Sequence, residues 1–197
     1  MSSAQDQKLM AEKIYKAVIN NSKYWISELD YYGKNQFKEK VKGEGWTMGQ
    51  VYDHIVYGTY DFHLRKLNNC ILRENGSTEG DKKILAKLIF TFGSLPPIRI
   101  KGRPASVYLP GQPENPEKFK DEFYKFLKVV HRASKEAGEA KLDYKTHHPI
   151  MGMLNAMEWL QLIEMHMRHH VRQKKRMDKS LRSEFKFTPG EEVYSDI

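Results

Sequence analysis

Two histidines, His166 and His170, stand one helical turn apart in the stretch HPIMGMLNAMEWLQLIEMHMRHHVRQ from His148 to Gln173. Asn155 followed three residues later by Glu158 has the form of a capping box and predicts a long helix that begins there and runs past Gln173. At roughly 100° per residue, Gln161, Glu164, Arg168 and Arg172 share one side of that helix. Trp159, Leu162, Ile163 and Met177 gather on the opposite side, with His166 and His170 in the middle of it. Two imidazoles so placed can serve one metal ion, although packed, hydrogen-bonded histidines show the same spacing and two ligands rarely hold an ion without a third. His169 points off to the flank.

The third ligand must come from another element, and WTMGQVYDHI offers one in His54. Thr47 caps a helix there, Gln50 answers at the third position, and the helix should run to about Arg73. Val51, Ile55, Gly58 and Phe62 define its inner stripe, and His54 lies beside it. His63, nine residues on, is half a revolution away and is expected to face outward. Asp61, two turns beyond His54, could orient an imidazole or approach a metal, but the favoured reading is a half-exposed residue paired with Arg65 at i+4. Gly58 leaves room beside His54, or simply lets helices pack closely.

The elements that must position these residues read as helices throughout. Met10, Ile14, Ala17, Val18, Trp25 and Leu29 recur at helical steps over 7–32, and Phe119, Phe123, Phe126, Leu127 and Val130 do so over 117–137. With 47–73 and 155–180 they predict an all-α four-helix bundle. A shorter helix is expected at 82–90, before a long proline-rich crossover, GSLPPIRIKGRPASVYLPGQPENP, from Gly93 to Pro116. Its Arg99, Lys101 and Arg103 are either solvated loop charge or cations for an anionic ligand. Residues after about Ser183 read as a tail, and His131 as a packing or surface histidine.

At 197 residues the chain fits a single domain, 1–197, with ample material for a core. No run is long and apolar enough to cross a bilayer, and MSSAQDQKLMAEKIY lacks the pattern of a signal peptide, so a soluble, cytoplasmic protein without membrane partners is expected. The lone Cys70 excludes an intramolecular disulfide and reads as a small apolar residue near a helix end. The net charge of +8 is concentrated in RHHVRQKKRMDKSLR, from Arg168 to Arg182. A basic helix end complements the helix dipole, and base-reading or stacking residues do not accompany it, so nucleic-acid binding is not expected.

In such a bundle His54 could meet His166 and His170, and three neutral imidazoles leave coordination positions open for chemistry. The two histidine segments together resemble the DinB/YfiT-like superfamily: a tryptophan and cap before a helix with one histidine, then a His-Pro…Gly approach to a helix carrying H-x-x-H-H-x-x-Q. The resemblance implies a four-helix bundle in which His54, His166 and His170 hold a divalent metal, zinc or nickel, with Gln173 and His169 as supporting or packing residues. It further implies a metal-dependent transferase or hydrolase, since relatives include bacillithiol-dependent S-transferases and a mycothiol-dependent isomerase, and others are classed as metal-dependent hydrolases. A small-molecule substrate is expected, and a low-molecular-weight thiol would bring carboxylates for Arg99, Lys101 or Arg103. The alternatives are a non-enzymatic bundle that binds a metal, a ligand or a partner subunit, and, behind it, a nucleic-acid binder. A homodimer is compatible with either leading reading, although no periodic stripe singles out an interface.

Overall fold

The structure, a computed structural model, describes residues 3–96 and 108–184. Helix α1 (Ala4–Glu28) opens with a reciprocal capping box between Ser3 and Asp6 and ends in a 3-10 turn, Leu29–Tyr31. A short α2 (Lys34–Lys38) lies inside the connection that periodicity leaves unstructured. Helix α3 (Met48–Gly58) begins at the Thr47–Gln50 capping box, passes through a π-helical stretch at Thr59–Leu64, and continues as α4 (Arg65–Leu72). The short α5 (Ile84–Phe92) follows, then α6 (Pro116–Glu139), with Asn115 accepting the Glu117 N–H and proline in the first turn. Helix α7 (Ala156–Glu184) closes the described chain.

Helix α1 packs on α6 and α7, while the α3–α4 rod packs on α7 and α6; these are the four members of the expected all-α bundle. Trp25, Val51, Tyr52, Ile55, Phe123, Phe126, Trp159 and Ile163 are wholly buried between them. Met10 departs from its expected place: it is 47% exposed, and Ala11 and Ser22 are buried in its stead. The buried arc of α1 centres on Ile14, Val18 and Trp25, and at roughly 100° per residue Met10 falls on its edge.

A feature absent from the helical pattern is an antiparallel hairpin of β1 (Lys145–His148) and β2 (Gly152–Asn155) that delivers the chain directly into α7. His148 forms its turn: the ring Nδ1 accepts the backbone N–H groups of Ile150 and Met151, each at 3.1 Å. Residues 77–82 run beside the hairpin, pairing Ser77 with Lys145 and Lys82 with Gly152. Buried Cys70 fastens the hairpin to α4: its Sγ lies 3.3 Å from Thr146 Oγ1 and donates to the Leu154 carbonyl. Burial raises its thiol pKa, which disfavours the nucleophilic thiolate.

Gly152 adopts φ +86°, and a Cβ there would stand 2.7 Å from the Asp81 carbonyl oxygen. Gly152→Ala combines a left-handed backbone with a clash against main chain, and is expected to cost roughly 2 kcal/mol or more. Urea denaturation of the variant measures it; a loss below about 0.5 kcal/mol would mean that the hairpin shifts freely.

The Asn155–Glu158 capping box forms in both directions, at 2.9 and 3.0 Å, and fixes where α7 starts. Glu158 also pairs with Lys82, tying that start to the segment beside the hairpin. Helix α5 buries Ala86 and Ile89 but leaves Ile84, Leu85, Leu88 and Phe92 exposed. No described helix is long and apolar enough to cross a membrane.

Candidate metal centre

His54 from α3 and His166 and His170 from α7 bring one nitrogen each to a common point. His166 Nε2 lies 3.0 Å from His54 Nε2 and 3.1 Å from His170 Nε2, and the three ligand atoms all fall within 4.8 Å of one another. Gly58 makes room for His54. A Cβ at Gly58 would be 3.0 Å from His54 Nδ1 and 3.3 Å from the Tyr108 ring, so the missing side chain admits both. Trp46 covers the cluster from outside, its ring centroid 4.7 Å from that of His54 and 6.4 Å from that of His170.

These nitrogens fit a metal better than they fit one another. A ring nitrogen has one in-plane direction, carrying either a proton or a lone pair, so His166 Nε2 cannot make good hydrogen bonds to two other nitrogens. Two nitrogens bound to one ion at about 2.0–2.1 Å stand roughly 2.9–3.4 Å apart for angles between 90° and tetrahedral, and the His54–His166 and His166–His170 separations lie in that range. The Nδ1 side of His170 agrees: it lies 2.9 Å from Gln173 Oε1. With the Gln173 amide nitrogen directed to Glu44, the oxygen accepts the Nδ1 proton and leaves the Nε2 lone pair free. Glu44 is held in turn by Arg176 at 3.1 Å.

Charge is unwelcome on all three rings. Burial pushes His54 down to about 4 and His170 down to about 3, and burial reinforced by the neighbouring histidines holds His166 well below its usual range. Neutral imidazoles are the form that binds metal. Unfolded, the same groups take up protons near pH 6.5, so between that value and about 3–4 the unfolded chain binds more protons than the folded one. Stability of the metal-free protein is therefore full above pH 6.5 and is lost as the pH falls through that window. Thermal midpoints in chelator should decline from pH 7.5 to 6 to 5; a midpoint unchanged over this range would contradict the burial of the cluster.

His63 also reaches this cluster, against the outward position that α-helical spacing predicts. Its ring centroid is 4.8 Å from that of His166, it is buried, and burial followed by the proximity of His148 and His54 pushes it down to about 3. The cause is the π-helical stretch Thr59–Leu64, which holds an additional residue in its turn. One extra residue retards the next turn of helix by roughly 100°, bringing His63 round from the far side. The same winding leaves Asp61 exposed, away from the histidines, with Arg65 Nε donating to its backbone carbonyl at 2.6 Å. A strict 3.6-residue period carries no signal for this.

Other neighbours come from distant sequence. Tyr108 donates to Asp53 Oδ2 at 2.5 Å and the Gly111 N–H to the same oxygen at 3.0 Å, anchoring the end of the crossover on α3 beside His54. Burial raises the Asp53 pKa, opposed by those two hydrogen bonds. His169 is half-buried on the flank of α7, its Nδ1 enclosed without a hydrogen-bond partner. Arg99, Lys101 and Arg103 lie outside the described residues.

Comparison with curated proteins and with solved structures gives no match. Residues 21–173 match the DinB superfamily, a span that contains His54, His166 and His170 and ends on Gln173. With more than half its length matched and a helical bundle to carry the three histidines, the chain belongs to the DinB superfamily.

Proposed function

We propose that the protein is a metal-dependent enzyme that transfers a thiol to a small substrate or hydrolyses one, with zinc or nickel held by His54, His166 and His170. The observation that carries this reading is the convergence of three Nε2 atoms on one point. A divalent ion supplies Lewis acidity there, lowering the pKa of a thiol or water that reaches it. The chain's own residues do the rest. Gln173 sets the His170 tautomer, and Gly58 and Trp46 hold the His54 ring between a cleared space and an indole. A histidine-only set adds no negative charge to the ion, which preserves its acidity.

The test is turnover by the metal-loaded protein, beside His170→Ala, with a panel of low-molecular-weight thiols and an electrophile, and separately with activated esters and amides. Turnover that requires both the thiol and His170 supports S-transfer. Turnover without thiol, lost in the variant, supports hydrolysis. A protein that binds one ion per chain and turns over neither set is a binding bundle, and the enzymatic reading falls.

A further inference from the structure

On the side of α7 away from His54, His166 and His170, the residues after α5 and the later part of α1 line an open cavity of about 440 Å³. Arg168, Arg172 and Lys175 line it at positions i, i+4 and i+7, facing roughly opposite to His166 around the helix. No carboxylate lines it among the described residues. Arg168 is neutralised by Glu164 at 2.8 Å. Among the described residues, the Arg172 side chain makes only a long bond, 3.4 Å, to the Leu95 carbonyl. Lys175 is in no ion pair among the described residues, and the cavity is left with two uncompensated cations. The rest of the wall combines Tyr24, Leu95, Met165 and Val171 with the polar side chains of Asn21 and Ser94.

We propose that this cavity is a binding site for a small organic phosphomonoester, separate from the metal centre. Its volume lies within the range of small-ligand pockets. Two free cations balance a phosphate dianion, and a guanidinium meets phosphate oxygens in a bidentate fork. The apolar part of the wall receives the organic body, which inorganic phosphate lacks. The basic run that begins at Arg168 thus has a specific task at its start, while further along Arg176 is occupied by Glu44 and Lys174 is buried. Arg168, Arg172 and Lys175 face away from the three histidines around α7, and His169, whose ring centroid is 5.6 Å from that of His170, stands at the boundary between the two sites.

Calorimetric titration of the full chain with phenyl phosphate, at low salt and both with and without chelator, tests the site. The expected result is saturable binding, one per chain, that weakens with added salt and falls at least about tenfold in the Arg172→Ala/Lys175→Ala variant. Both side chains are exposed, so this variant keeps its fold, which circular dichroism verifies. Inorganic phosphate should bind more weakly than phenyl phosphate. Absence of saturable binding, or equal affinity in the variant, overturns the proposal. Binding that chelator abolishes and the double substitution spares would put the anion at the metal, and overturns it equally.

Discussion

Lys174→Ala is expected to destabilise the protein by about 3–5 kcal/mol, the usual consequence of removing one member of a buried ion group. Lys174 is wholly buried one turn beyond His170; its Nζ meets Glu28 Oε2 at 2.5 Å and Asp178 Oδ2 at 2.7 Å. Tyr32 donates to the other oxygen of Asp178, and the rings of Tyr32 and Tyr24 face the ammonium with centroids at 5.1 and 5.7 Å. Without the lysine, two carboxylates stay in the bundle core with no cation between them, and the end of α1 loses its tie to α7. In a chain of this length such a loss lowers the thermal midpoint by roughly 10 °C. Chemical denaturation of the variant gives the value directly. A loss below about 1 kcal/mol would show that water or a rearranged side chain replaces the ammonium. Restoring stability by adding Glu28→Gln and Asp178→Asn would confirm that the stranded charges are the cause.

Gln173→Leu is expected to weaken metal binding by about 10- to 100-fold while leaving all three ligands in place. The leucine fills similar volume but cannot accept the His170 Nδ1 proton, so that ring no longer has a preferred tautomer and its ligand nitrogen carries a proton part of the time. Competition against a chromogenic chelator measures the change. An unaltered affinity would assign Gln173 to packing or to Glu44 alone.

The parts of the site that sequence makes legible are those set by local chemistry. Thr47–Gln50 and Asn155–Glu158 announce where the two histidine-bearing helices start, because capping is a contact between residues three apart. From those starts, helical spacing carries His54, His166 and His170 inward. The π-helical stretch is invisible to the same logic, which is why His63 arrives at the cluster and Asp61 does not. Strands of four residues are too short to show a period, and KTHH and GMLN pair only because the bundle and residues 77–82 hold them together. Tyr108 meets Asp53 across more than fifty residues, and the partner of Gln173, Glu44, is more remote still. Contacts of that kind depend on the completed fold.

The most direct test of the metal centre is elemental analysis of tag-free protein, purified without chelator and then dialysed against zinc or nickel, beside His166→Ala. The three-histidine site predicts close to one ion per folded wild-type chain and almost none in the variant, because His166 is the ring whose Nε2 lies near both others. Equal metal content in the two proteins, or none in the wild type after reconstitution, would contradict it.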